Sequence, residues 1–133
     1  MIILDTNVLS TLMRRDADPR VIAWLDSQRP DSVWTTTITT FEILPDSRKR
    51  SALEEAFSRA LEEDLENRVL PVDDTAAEAA ARIAAHHRNT GRPVEIRDTL
   101  IAGIATARKA TLATRNIRHF ENTGITTADP WSG

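Results

Sequence analysis

Three carboxylates stand where the chain could aim them at one place. Asp5 closes a short apolar run, Glu42 follows a threonine-rich stretch, and Asp98 falls near the start of an amphipathic segment. Crowded carboxylates repel one another and are costly to bury, so such a cluster requires shifted proton affinities or a hard divalent cation. Oxygen donors suit Mg²⁺ or Mn²⁺. The chain has no cysteine, which removes the usual zinc thiolates and leaves His86, His87 and His119 as other donors. A cation held by Asp5, Glu42 and Asp98 could polarise a phosphodiester, lower the pKa of an attacking water and neutralise the leaving oxygen. That chemistry is phosphodiester hydrolysis. Each acid alone also has an ordinary reading: Asp5 can cap a turn, Asp98 can cap its own helix, and Glu42 can face solvent.

Other candidates are weaker. His86 and His87 are consecutive, and on a helix such neighbours point about 100° apart, so they do not converge as a ligand pair. Trp24, Trp34 and Trp131 read as core residues rather than as platforms for bases. No nucleophile-elbow glycine pattern and no P-loop occur in the sequence. The net charge of −3 conceals an asymmetry: residues 82 to 120 hold eight basic side chains, Arg115 and Arg118 among them, against only Glu95 and Asp98. A basic stretch of this kind can supply phosphate contacts, and it can equally be a solvated surface.

The elements that must position the acids alternate. Met1 to Leu4 reads as a buried strand that delivers Asp5, Thr6 and Asn7 at its C-terminal end, where open α/β sheets place their sites. Asp18-Pro19 starts a helix. Val33 to Ile38 has strand character, and Pro45 interrupts any helix beginning near Phe41. Ala52 to Leu65 is an amphipathic helix and Val69 to Val72 a short strand. Thr75 and Glu78 have capping-box spacing ahead of an alanine-rich helix reaching His87. Ile96 to Arg108 is helical with Asp98 in its first turn, Thr111 to Thr114 is a strand, and Ile117 to Phe120 a short helical segment. A turn at Asn122 to Gly124 precedes a last strand at Ile125 to Thr127. This order predicts a three-layer α/β domain with a mainly parallel central sheet.

The length of 133 residues fits one domain, residues 1–133, with a real core. No secretion signal and no membrane span is visible, and the absence of cysteine suits a reducing compartment, so the cytoplasm is the expected location.

The opening Ile2-Ile3-Leu4-Asp5-Thr6-Asn7-Val8-Leu9-Ser10 resembles the start of PIN-domain toxins of the VapC family, especially the FitB-like branch. Further blocks agree in order: Trp34-Thr35-Thr36 before Glu42-Ile43, Gly91-Arg92-Pro93 before Arg97-Asp98, and Ala113 to Glu121 before Pro130-Trp131. The resemblance implies a PIN fold, Mg²⁺ or Mn²⁺ dependence, endoribonuclease activity on RNA, homodimerisation and neutralisation by a small cognate antitoxin. It places Asp5, Glu42 and Asp98 on the family's acidic site as metal ligands, with Asn116 at a fourth catalytic position and Thr6 and Thr114 as supporting polar residues. Two departures from the family pattern stand out. The segment after Glu42 passes from Leu44 straight to Pro45-Asp46 and is short by roughly two helical turns. His119 stands where related toxins often have Asp.

Other classes fit less well. A haloacid-dehalogenase-like phosphatase needs a second aspartate where Asn7 stands, and a receiver domain needs a lysine that neither Lys49 nor Lys109 provides. The non-enzymatic alternative is a PIN-fold module that binds partners with little or no catalysis.

Overall fold

Ile2–Leu4 form the first strand, β1, and Asp5 ends it by turning the chain at once into a helix. The Asp5 side chain accepts a hydrogen bond from the Thr6 amide at 2.8 Å, which satisfies one of the free donors of α1, Thr6–Leu12. Sequence patterns do not announce that helix; they lead from β1 to the helix at Pro19. The latter is α2, Pro19–Asp26, capped by Asp18. In the computed structural model the described residues are 1–44, 50–93 and 95–132. The shortened segment at Pro45-Asp46 lies outside them.

The second strand, β2, covers Val33–Thr36, and α3, Thr37–Ile43, follows without a loop because the Thr36 hydroxyl accepts from the Thr39 amide at 3.2 Å. Ile38, expected in the strand, is therefore helical: a local cap outweighs the β-propensity of a threonine-rich run. Helix α4 is Arg50–Leu65 and β3 is Val69–Leu70. Helix α5, Asp74–Asn89, is capped by Asp73, whose carboxylate accepts from the Ala76 amide at 2.9 Å. The cap is thus two residues before Thr75. Helix α6, Ile96–Arg108, ends at Lys109 in the left-handed conformation. Strand β4 is Thr111–Ala113, a 3-10 turn spans Ile117–Phe120, and β5 is Thr126–Ala128. Positive φ at Asn122 and Gly124 makes the expected turn.

The five strands lie in the order β3-β2-β1-β4-β5 with every pairing parallel. The chain winds outward from β1 to β3, then crosses back through α5 and α6 to β4 on the other side of β1. The strand order therefore reverses between β1 and β4, and the crevice beyond their C-terminal ends is where such sheets bind ligands.

Alternation along the strands feeds two cores. Ile3 and Leu112 face the cluster built with α5 and α6, including Ile101, Ile104 and Phe120. Leu4 and Ala113 face the opposite cluster with Leu9, Val21, Phe57 and Leu65. Trp131 is buried in this second cluster with Trp24 beside it, and Trp34 packs against the first, so all three tryptophans serve the core. Helices α5 and α6 meet closely at Gly103, where an added Cβ would lie 2.5 Å from the Ala76 carbonyl oxygen. That contact sets the position of α6, and with it Asp98. No described helix is long and apolar enough to cross a membrane.

Candidate active site

At the C-terminal end of β1 the Asp5 carboxylate is 6% exposed and held at both oxygens, by the Thr6 amide and by the Thr114 hydroxyl at 2.7 Å. Thr114 follows β4, so this bond ties the two strand ends at which the sheet order reverses. The Asn116 amide donates to the Thr114 hydroxyl at 3.0 Å, and the Arg115 amide donates to the Asn7 side-chain oxygen at 3.2 Å. Helix α3 brings Glu42 to the same place: the Thr6 hydroxyl donates to Glu42 Oε1 at 2.9 Å and lies 3.2 Å from the Thr39 hydroxyl.

The facing side comes from α6. Glu95 is its N-cap, accepting from the Asp98 amide at 2.7 Å, so the cap expected of Asp98 falls to Glu95 and the Asp98 carboxylate is left free of that duty. His119 Nδ1 lies 3.2 Å from Asp98 Oδ2. Arg97 reaches Glu95 at 3.3 Å and Glu42 at 4.0 Å. Asp5, Glu42, Asp98 and Asn116 line one cavity of about 350 Å³, together with Glu95 and His119. His86 is exposed and stands outside it. His87 is buried and lines a neighbouring cavity. Glu95 and Arg97 are the site residues that sequence reasoning misses. Their one signal is position, immediately around the start of an amphipathic helix, but glutamate is an uncommon cap and reads in sequence only as charge.

The acids feel one another. Burial pushes the Asp98 carboxyl up to about 6, with the charges of Glu95, Asp5 and Glu42 adding to the shift and His119 opposing it. Burial also raises Asp5, against the hydrogen bonds from Thr114 and Thr6. Carboxylates gathered at a partly buried site, one of them raised by the charges of the others, fit a hard divalent cation in donor type and in charge. Their spacing is open: among the described residues no three Asp, Glu or His groups are gathered closely enough to hold an ion as they stand.

Fold and site together define a parallel α/β domain with an acidic crevice at its switch point. The chain belongs to the PIN-domain family, whose model matches residues 2–125. It is similar to the plasmid stability protein StbB of Pseudomonas syringae pv. tomato, at 36% identity over 98% of this chain and 99% of that protein. It is 31% identical to the VapC ribonuclease Y4jK of Sinorhizobium fredii, over 98% of each chain. Toxin FitB of Neisseria gonorrhoeae is 31% identical over 98% of this chain and 99% of its own length. The crystal structure of FitAcB from the same organism superimposes with a TM-score of 0.80 and the same coverage.

Proposed function

We propose that this protein is a divalent-metal-dependent endoribonuclease acting as the toxin of a VapBC-like toxin–antitoxin pair, and that it hydrolyses RNA phosphodiester bonds. The observation that carries this reading is the gathering of Asp5, Glu42, Asp98 and Asn116 around one cavity, with the Asp98 carboxyl raised to about 6 by its surroundings. The ribonuclease and toxin names of its relatives support it.

In this reading Asp5, Glu42 and Asp98 hold Mg²⁺ or Mn²⁺. When bound, the cation supplies Lewis acidity toward the phosphodiester and lowers the pKa of the attacking water. The protein's own work is positional. Thr114 and Thr6 fix the Asp5 carboxylate, Thr6 also fixes Glu42, and Asn116 offers a neutral side chain at the cavity wall where a fourth acid would add repulsion. His119 sits against Asp98, where it can hold a water or a phosphate oxygen on the open side of the crevice.

The same crevice suits an antitoxin. A planar guanidinium can pair with carboxylates through parallel hydrogen bonds, and Arg97 already lies between two of them, hydrogen-bonded to Glu95 and 4.0 Å from Glu42. An arginine from a small cognate antitoxin would displace the cation and silence the toxin, and the toxin itself would work as a homodimer.

A purified-protein assay on a panel of RNAs, with and without Mg²⁺ or Mn²⁺, tests the reading. Cleavage that needs the metal and vanishes in Asp5→Asn supports it. Cleavage that survives chelation, or that is equal in wild type and Asp5→Asn, overturns it. Complete inactivity on every RNA favours the non-cutting PIN module instead.

A further inference from the structure

Beside the acidic crevice lies a second cavity of about 480 Å³, and the two share Glu95, Asp98 and His119 as a common wall. The second cavity adds two guanidiniums and one further carboxylate, Glu121, to that shared wall. Its rim carries the exposed Arg92 and Arg118, neither of which forms an ion pair among the described residues. Its floor is made by two buried residues, Thr99 and His87.

His87 is the feature that the proposed reaction leaves unused. It is only 8% exposed, and both of its ring nitrogens are buried without a hydrogen-bond partner, so the ring must turn to present one of them to a ligand. A neutral imidazole offers one donor and one acceptor, and leaving a buried polar group unmade costs about 1–3 kcal/mol. A fold tolerates such a group where a ligand completes it. The cavity volume falls in the range that takes a small ligand, roughly 300–1,000 Å³. Single-stranded RNA offers matching chemistry: a phosphate for unpaired guanidiniums and base edges for a donor and an acceptor.

We propose that this second cavity is a nucleotide subsite, holding the unit of single-stranded RNA next to the scissile phosphodiester, with Arg92 and Arg118 on its phosphate and His87 on its base edge. It thereby selects the sequence that is cut. The proposal rests on the ribonuclease reading for its biological meaning, but the binding it describes is measurable without cleavage.

The test uses the full chain carrying Asp5→Asn, which removes the reaction and one repelling charge. Binding of fluorescein-labelled A6, C6, G6 and U6 is followed by anisotropy. The expected result is a preference of about fivefold or more for one base, since a polar site rejects ligands that leave its groups unpaired. His87→Leu flattens that preference. His87→Gln, which keeps a donor and an acceptor and guards against misfolding, changes it. Arg118→Ala weakens all four oligonucleotides alike and lowers the salt slope by about 0.7. Cut-site sequencing of otherwise unmodified protein with and without His87→Leu reads the same preference in the products.

Indifference to base identity in the parent, or a base preference untouched by both His87 variants, overturns the subsite. So does a loss of partner-protein binding with RNA preference intact, which would assign the cavity to the antitoxin. If base preference depends on His87 while no RNA is ever cut, the subsite stands and the ribonuclease reading falls. Metal-dependent cutting that ignores His87 and Arg118 does the opposite: the ribonuclease reading stands and the subsite falls.

Discussion

The two flanks of the acidic crevice are built on different principles. On the strand flank, Asp5, Thr6, Glu42 and Thr114 are joined by hydrogen bonds between residues far apart in the chain, and Asp5 and Thr114 are buried. On the helix flank, Glu95 bonds its near neighbours Arg97 and Asp98 at the start of α6. The longer-range contacts there are the ion-pair approaches of Arg97 to Glu42 and His119 to Asp98, and Arg97 and His119 are more than half exposed. The strand flank is fixed by the same contacts that close the sheet at its switch point. The helix flank is an adjustable set of charges whose position depends on how α6 rests on α5. A crevice with one rigid wall and one responsive wall can hold a cation and still admit a large substrate.

The largest expected effect comes from removing the charge of the proposed metal ligands. Asp5→Asn and Asp98→Asn should each lower metal-stimulated RNA cleavage by about 10²–10³ or more while the domain stays folded, because shape is nearly preserved. Asp5→Asn should also leave the metal-free protein at least as stable as wild type at neutral pH, since burial already disfavours its charged form. Steady-state cleavage together with thermal melts in EDTA checks both. Loss of activity accompanied by loss of the melt would make Asp5 a structural residue rather than a reactive one.

Next in size is the tie between α6 and α5. Gly103→Ala places a methyl group 2.5 Å from the Ala76 carbonyl oxygen and 2.7 Å from the Ala80 Cβ, and backbone cannot yield as a flexible side chain can. Overpacking of this kind costs about 1–3 kcal/mol. Denaturant unfolding should report that loss. The surviving folded protein should show weakened metal activation, because the helix flank shifts while the strand flank holds. Unchanged stability would mean that the helices part easily, and that the second wall is set by something other than this contact.

How far the site can be read from the sequence follows the same division. Asp5 is legible because an apolar run that stops at an acid marks a strand end, and Asp98 because it opens an amphipathic helix. The Asp5–Thr114 bond is not, since no spacing rule reaches across 109 positions; Thr114 enters only through family resemblance. Helix α1 escapes for a local reason. Its start is fixed by the carboxylate of Asp5, for which the sequence offers chemistry or the capping of a turn as alternatives, and one side chain can serve both. Glu95 escapes for the converse reason: it does an aspartate's capping work with a longer side chain. The alternation of strands and helices carries the parallel sheet, whereas the order β3-β2-β1-β4-β5 depends on a crossover that periodicity does not encode.

A smaller effect separates the flanks by pH. The folded-state pKa of Asp98 is raised to about 6 from 3.8, so between those values the folded protein binds a proton that the unfolded chain has released. Its contribution to stability is full below about pH 4 and is lost as pH rises through 6. The lowered pKa of Asp18, about 2, acts outside this window. In EDTA the melting temperature should therefore fall between pH 4.5 and 7, by roughly 3–5 °C for each 1 kcal/mol that survives solvent screening. Asp98→Asn should lessen that slope, the remainder belonging to Asp5 and Asp64, which burial also raises, and saturating Mg²⁺ or Mn²⁺ should reverse it. A slope unchanged in Asp98→Asn would place the titrating group elsewhere.

The smallest effect concerns how each flank meets RNA. Arg115 and Arg118 follow the same strand, and sequence alone gives them the same part, but they have different surroundings. The Arg115 guanidinium lies over the Trp131 ring, 4.9 Å from its centroid, so part of its charge is engaged by the aromatic face. Arg118 projects into the cavity on the helix flank, beside His119 and within reach of the shared wall. Arg59, far off on α4, sits among Glu55, Glu62 and Glu63. Arg118→Glu should weaken RNA binding by about three- to tenfold, Arg115→Glu by less, and Arg59→Glu scarcely at all, and only the first should lower the salt slope appreciably. Anisotropy titrations at two salt concentrations resolve the order. Equal losses at all three arginines would mean that RNA is drawn by diffuse charge over the whole surface, and the helix flank would then have no special claim on the substrate. A larger loss at Arg115 would move the RNA path to the strand flank, where the wall is rigid and selectivity would come from fixed shape rather than from charge.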